Sequence, residues 1–119
     1  MASTEGLRRG EIWLVAFGAG RTGEPGKNRP AIILSADGLI VGSDDELVVT
    51  IPLSSSLAPA KLRPSIPATA GIDADSAAVP RGIRSVARSR LLRRIGEVDR
   101  ETLAAVERAL KLILSFDPR

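Results

Sequence analysis

Short apolar blocks separated by polar, glycine-rich or proline-rich segments recur along the first hundred residues, and they predict strands. The block IWLVAF, residues 12–17, is apolar at every position, which favours a strand covered on both faces, as in a small barrel. The block AIILS, residues 31–35, predicts a second strand that Pro30 can open, because a missing N–H costs nothing at a strand's first position. The block ELVVTIPLS, residues 46–54, predicts a third strand.

The next segment is rich in Ser, Ala and Pro and predicts shorter strands. Residues 63–69 have room for a short edge strand, in which two prolines discourage unwanted pairing. Residues 77–86 predict a further strand interrupted near residues 80–82, and residues 91–98 predict the last one.

A helix is predicted after Asp99, which has the side chain of an N-cap and is followed by Glu101 in the first turn. One apolar stripe follows at helical spacing: Leu103, Val106, Leu110, Ile113 and Leu114. Leu112 lies on the opposite face and is expected to be exposed or in a subunit contact. The pattern predicts a mainly β (α+β) fold, a small SH3-like, partly open β-barrel with a C-terminal helix, as one domain over residues 1–119.

Cysteine and histidine are both missing, and their absence limits the chemistry. The 119 residues include no cysteine and no histidine. This excludes disulfides, thiolate or histidine metal sites and any mechanism with an imidazole base. The chemistry of the protein must then use arginine, hydroxyl, carboxylate or backbone groups. We expect no metal and no other cofactor.

No apolar run approaches the roughly 20 residues of a membrane span, and the first ten residues lack the apolar stretch of a signal peptide. The sequence predicts a cytoplasmic protein that does not contact membranes.

Positive charge is concentrated in residues 81–100, which contain seven arginines against Glu97 and Asp99. Residues 1–80 are slightly acidic by comparison. Such an arginine stripe is typical of a surface that binds a phosphate backbone or an acidic partner, and a merely solvated face is the alternative.

The segment GEPGKNRPAIILS, residues 23–35, places Arg29 directly before Pro30 at the mouth of a strand. Guanidinium is planar and permanently charged, and it can hold two phosphate oxygens at once. The fixed φ of proline limits the movement of the residue next to it. A long glycine-rich loop followed by an anchored arginine therefore predicts phosphate binding.

Two further features favour ordinary roles. Asp44, Asp45 and Glu46 could form a cation site, but neighbouring acids at a turn are more typical of solvated residues. Trp13 and Phe17 could stack on bases, but their place in IWLVAF favours core packing.

Four segments, in order, resemble the MazF/PemK/Kid family of bacterial toxins: RRGEIWLVAF, GEPGKNRPAIILS, VVTIPLSSS, and IRSVARSRLLRRIGEV followed by a helix. The resemblance covers about residues 8–115 and implies the MazF/CcdB-like toxin fold as a homodimer. It also implies a type II toxin that inhibits translation and growth by cutting single-stranded RNA, without a metal, into 2′,3′-cyclic phosphate and 5′-hydroxyl ends. The implied partner is a cognate MazE-like antitoxin whose acidic segment covers the RNA groove.

The resemblance also implies site residues. It places the family's catalytic arginine on Arg29 and its catalytic threonine on Ser54, with Ser55 as the alternative hydroxyl. Glu24, five residues before Arg29, is a candidate general base or partner of the arginine, although it could be an ordinary loop acid. The predicted RNA-binding residues are Lys27, Asn28, Ser55, Ser56, Arg81, Arg84 and Arg88.

The sequence departs from the family pattern where relatives read bases. Many relatives carry an acidic residue and a glutamine where this chain has Arg81 and Gly82, and an aspartate where it has Ala87. Base specificity therefore does not transfer from a relative. A second function stays open, namely a non-catalytic barrel that binds RNA or poisons a partner enzyme such as gyrase.

Overall fold

The computed structural model describes residues 6–18, 27–56 and 62–115, and within these ranges the chain forms antiparallel strands and one α-helix. The elements are β1 (Glu11–Ala16), β2 (Asn28–Ile33), β3 (Leu47–Ser54), β4 (Ser65–Ile66), β5 (Ser76–Ala78), β6 (Arg84–Ala87), β7 (Leu91–Glu97) and α1 (Arg100–Leu114). Every predicted strand is confirmed, with one shift that matters for function. Strand β2 begins at Asn28 rather than at Pro30, so Arg29 lies inside the strand.

The strands form one curled sheet in the order β4-β5-β3-β2-β1-β7, with β6 paired to β3. Strand β3 changes partner along its length. Its first half, Leu47–Thr50, pairs with β6, and its last two residues pair with β5. This exchange lets the sheet bend around β3, and the predicted partly open barrel is confirmed as a curled half-barrel.

Both faces of the central strands are buried, because alternate residues of β1, β2 and β3 enter two separate cores. The helix-side core consists of Ile12, Ile32, Leu34, Ile51, Leu53, Ile66, Ile72, Ala78 and Val106. The opposite core consists of Leu7, Trp13, Val15, Ala31, Ile33, Val48, Val86 and Leu91. The prediction that IWLVAF is covered on both faces is confirmed, and Trp13 is a core residue that is 6% exposed.

Helix α1 closes the helix-side core. The Asp99 carboxylate accepts a hydrogen bond from the Thr102 backbone N–H at 2.8 Å, which confirms the predicted N-cap. That bond, followed by one from the Thr102 side chain, lowers the pKa of Asp99. Val106 is fully buried, whereas Leu112 is 61% exposed on the far face. Within the described ranges, no helix has the length and apolar character needed to cross a membrane.

The turn at residues 68–71 packs directly on β7, and two glycines make this contact possible. A Cβ on Gly96 would meet the Ala70 carbonyl oxygen and would lie 2.9 Å from the Ala70 carbonyl carbon. Gly71, on the other side, has a φ of +113°, which side chains rarely adopt. The contact is therefore backbone against backbone.

Candidate active site

The loop between β1 and β2 is closed at its base by two backbone hydrogen bonds. The Phe17 N–H donates to the Lys27 carbonyl at 3.0 Å, and the Lys27 N–H donates to the Gly18 carbonyl. Lys27 has a φ of 60°, a left-handed conformation that costs a non-glycine residue about 1–2 kcal/mol. The chain therefore enters β2 from a fixed point, two residues before Arg29.

Arg29 is half-buried and lies opposite Val15 in the β1–β2 ladder. Residues alternate across a strand, so its side chain shares the face of Ala31 and Ile33, the face of the opposite core. The strand therefore orients the guanidinium, and Pro30 follows directly in the same strand.

Ser54 is the last residue of β3, is 7% exposed and pairs with Ala77 of β5. The β2–β3 register places Ala31 opposite Pro52. The ladder ends at that pair; counted two residues further, Ser54 comes level with Arg29, and strand alternation puts both on the same face of the sheet. The Ser54 hydroxyl oxygen lies 3.0 Å from the Ser56 hydroxyl oxygen and accepts from the Ser56 N–H at 3.3 Å, so its orientation is constrained.

An open groove of about 340 Å³ lies beside these residues. We call it the Arg29 groove; the described residues that line it are Lys27, Asn28, Arg29, Pro30, Leu53, Ser55, Ile72, Asp73, Ala74 and Ser76. The structure thus gathers Lys27, Asn28 and Ser55, three predicted RNA-binding residues, around Arg29. The two candidate hydroxyls are separated, because Ser54 points to the face of Arg29 while the exposed Ser55 lines the groove.

Comparison with known proteins assigns the chain to a family. The family described as "PemK-like, MazF-like toxin of type II toxin-antitoxin system" matches residues 8–114. The chain belongs to this family.

Relatives agree with this assignment. The chain is 36% identical over 116 residues to "Endoribonuclease MazF9" of Mycobacterium tuberculosis, a match that covers 92% of this chain and 98% of the relative. The fold matches that of MazF from Deinococcus radiodurans with a TM-score of 0.75, 24% identity and coverage of 92% and 96% of the two chains. It also matches an endoribonuclease in complex with its cognate antitoxin from Mycobacterial species, with a TM-score of 0.75, 17% identity and coverage of 95% and 99%.

Five described residues that were predicted for the site of this MazF-like toxin do not line the groove: Ser54, Ser56, Arg81, Arg84 and Arg88. Glu24, the candidate base, lies outside the described residues. Arg81 is exposed in the turn Pro80–Gly82 that precedes β6.

Arg84 makes a contact that sequence reasoning missed. Its guanidinium carbon lies 4.1 Å from the centre of the Phe17 ring, a cation–π distance, and the side chain is half-buried. Its backbone carbonyl accepts from the Thr50 hydroxyl at 3.0 Å. Phe17 therefore holds Arg84 at the end of β1 instead of packing only as a core residue.

The prediction that Arg88 binds RNA is corrected by the structure. Arg88 is 1% exposed, and its Nε lies 3.4 Å from Glu46 Oε1. A side chain buried to this degree cannot contact RNA. Within the described part of the chain, none of its three guanidinium nitrogens has a hydrogen-bond partner.

Glu46, the partner of Arg88, has a structural environment of its own. Its carboxylate accepts from the backbone N–H groups of Val41 at 2.7 Å and of Gly42 at 3.0 Å. These two bonds and then the charge of Arg88 lower the pKa of Glu46. Across residues 6–18, 27–56 and 62–115, no group of three or more acidic, histidine or cysteine side chains could hold a metal.

Other arginines of the stripe at residues 81–100 also bind within the chain. Arg90 donates to the Ala16 carbonyl at 3.0 Å. Arg94 donates to Glu11 at 2.6 Å, and that buried carboxylate also accepts from the Trp13 indole at 3.2 Å. The charge concentration seen in the sequence is therefore partly structural.

Arg88→Met should leave RNA cleavage within about twofold of wild type. It should lower the free energy of unfolding by about 1–3 kcal/mol, because removing Arg88 alone leaves the Glu46 carboxylate without its positive partner, while the two backbone N–H bonds to that carboxylate remain. Initial cleavage rates and urea denaturation measure the two effects. A large loss of cleavage with unchanged stability would show that Arg88 does take part in RNA binding or cleavage.

Proposed function

We propose that this MazF-like toxin is an endoribonuclease that cuts single-stranded RNA, with mRNA as its main substrate, and thereby inhibits translation and growth. The observation that carries the proposal is the placement of Arg29 and Ser54. Arg29, held in strand β2, lines an open groove, and the constrained Ser54 hydroxyl lies at the end of the neighbouring strand β3. These are the groups that a metal-independent attack on phosphate requires.

In the proposed step the 2′-hydroxyl oxygen forms a bond to the adjacent phosphorus while the bond from phosphorus to the 5′-oxygen breaks. The proton of the 2′-hydroxyl leaves, and the departing 5′-oxygen takes up a proton. The products are a 2′,3′-cyclic phosphate and a 5′-hydroxyl. In-line placement of the two oxygens supplies part of the rate.

Arg29 stabilises the charge that accumulates on the phosphate oxygens, and it can hold two of them. Ser54 donates its hydroxyl hydrogen to the same phosphate. Arginine is a poor general base, because a pKa above about 12 leaves little neutral guanidine at neutral pH. We therefore assign the base to Glu24, which precedes Arg29 by five residues in the sequence.

Two comparisons support the assignment of activity and partner. The relative that is 36% identical is named an endoribonuclease, and a structure of the same fold holds a cognate antitoxin. The proposed partner is a MazE-like antitoxin whose acidic segment covers the Arg29 groove and the exposed Arg81 of a homodimer. Both proteins and the RNA would meet in the cytoplasm.

The proposal is tested with a long unstructured RNA incubated with the protein in EDTA, followed by analysis of the new ends. We expect discrete cuts with cyclic-phosphate and 5′-hydroxyl ends, and no cut where deoxyribose replaces the ribose at the cleavage position. Loss of cutting in EDTA, or cutting that survives the deoxyribose substitution, would indicate a different reaction. No cutting of a transcriptome-scale RNA pool would favour the non-catalytic barrel.

A further inference from the structure

The Arg29 groove has a second wall that sequence reasoning did not connect with the site. Ile72, Asp73 and Ala74 from the β4–β5 connection, and Ser76 at the start of β5, face the groove opposite Asn28 and Pro30. The pairing of β5 with the end of β3 brings this wall beside Arg29.

Asp73 is an unexpected residue in a site that binds phosphate, because its carboxylate is negatively charged. It is exposed, and among the described residues that line the groove it carries the one negative charge. Within the described ranges no hydrogen bond or ion pair neutralises it. Its neighbour Asp75, by contrast, accepts from the Ala68 N–H at 2.8 Å. A free carboxylate repels the RNA backbone, so its contribution to RNA binding has to come from base N–H groups.

The remaining lining suits a nucleobase. Leu53 and Ile72 are buried and give the groove an apolar floor beside the half-buried Pro30. Asn28 and Ser55 are exposed, and the Ser76 hydroxyl donates to the Ala74 carbonyl at 3.0 Å while its oxygen can still accept. A volume of about 340 Å³ lies at the small end of the roughly 300–1,000 Å³ range of small-ligand sites.

We infer that the Arg29 groove is a base-reading subsite in which Asp73 selects a base with an amino group on its Watson–Crick edge, guanine above all, and rejects uracil. This inference rests on the proposed function. Guanine presents two adjacent N–H donors that match the two carboxylate oxygens, whereas uracil presents one N–H between two carbonyl oxygens that the carboxylate repels. Single-stranded RNA leaves this edge accessible.

The test is a binding selection that does not depend on cleavage. A randomised pool of short 2′-fluoro RNA, which lacks the attacking hydroxyl, is selected on wild type, Asp73→Asn and Asp75→Asn, and the bound sequences are counted. Asp75→Asn is the matched control, because it makes the same charge change two residues away, outside the groove lining. In parallel, the all-ribose pool is digested and its ends are sequenced.

Wild type and Asp75→Asn should enrich guanine over uracil at one position by about tenfold, the size expected of one bidentate base contact. Asp73→Asn should lose this preference or shift it toward uracil, because an amide offers one acceptor and one donor group. An unchanged motif in Asp73→Asn, or no enrichment of amino-bearing bases in wild type, would overturn the subsite. If the predicted binding pattern appears and the all-ribose pool stays intact, the subsite stands and the proposed cleavage fails.

Discussion

Arg29→Ala is expected to lower the rate of RNA cleavage by at least about 100-fold and to leave the stability of the folded protein largely unchanged. Loss of one preorganised charge donor at a transition state costs about 10²–10³ in rate. Arg29 lies at the strand end beside an open groove and is half-buried, so its truncation removes charge without opening a core. Single-turnover cleavage of a defined RNA and the urea midpoint measure the two effects.

Two further variants make this test specific. Arg108→Ala removes the same charge from an exposed position of α1 and should cleave like wild type. Arg29→Lys keeps a positive charge but not the planar fork, so most of the activity should still be lost. Cleavage by Arg29→Ala within a few-fold of wild type would show that the catalytic arginine lies elsewhere.

Gly96→Ala is expected to destabilise the protein by about 3 kcal/mol, the upper end of the range for overpacking. The added methyl group would meet the Ala70 carbonyl and would lie 3.1 Å from the Gly71 Cα. These are backbone atoms, which cannot move aside by changing a rotamer. The melting temperature should fall by roughly 10 °C.

Gly38→Ala is the matched control for this change. A Cβ at Gly38 meets no atom within 4 Å, so the substitution should be close to neutral. Equal melting temperatures for Gly96→Ala and wild type would mean that the turn at residues 68–71 can move away from β7 without cost.

The sequence predicted the elements well, because local patterns determine them. The apolar run IWLVAF, the Asp99 cap and the stripe of α1 each depend on a few neighbouring residues. The stripe ends one residue earlier than predicted, because Leu114 is 41% exposed. The strand boundary at β2 was less accurate. Pro30 suggested the start of the strand, but the ladder with β1 extends two residues toward the N-terminus, to Asn28 opposite Ala16.

The site was predicted in part, and what was missed depends on contacts between distant segments. Arg29 and Ser54 came from family motifs, and nothing in the sequence showed that Asp73 would lie beside them. The sequence alone did not distinguish Arg88 from its exposed neighbours in the basic stretch. Its burial against Glu46, 42 residues earlier, is set by the pairing of β3 with β6 and is invisible to local charge counting.

The pairing of β1 with β7 determines when the sheet can close during synthesis. Glu11 lies opposite Glu97, so the edge of β1 that pairs with β7 stays open until residue 97 has been synthesised. Sheets closed by such distant pairings fold slowly compared with helical proteins of the same size. On the ribosome, β1 and β2 can form a hairpin early, but the half-barrel that fixes it is completed only after residue 97 has emerged. The growing polypeptide thus carries Arg29 long before it carries a finished site.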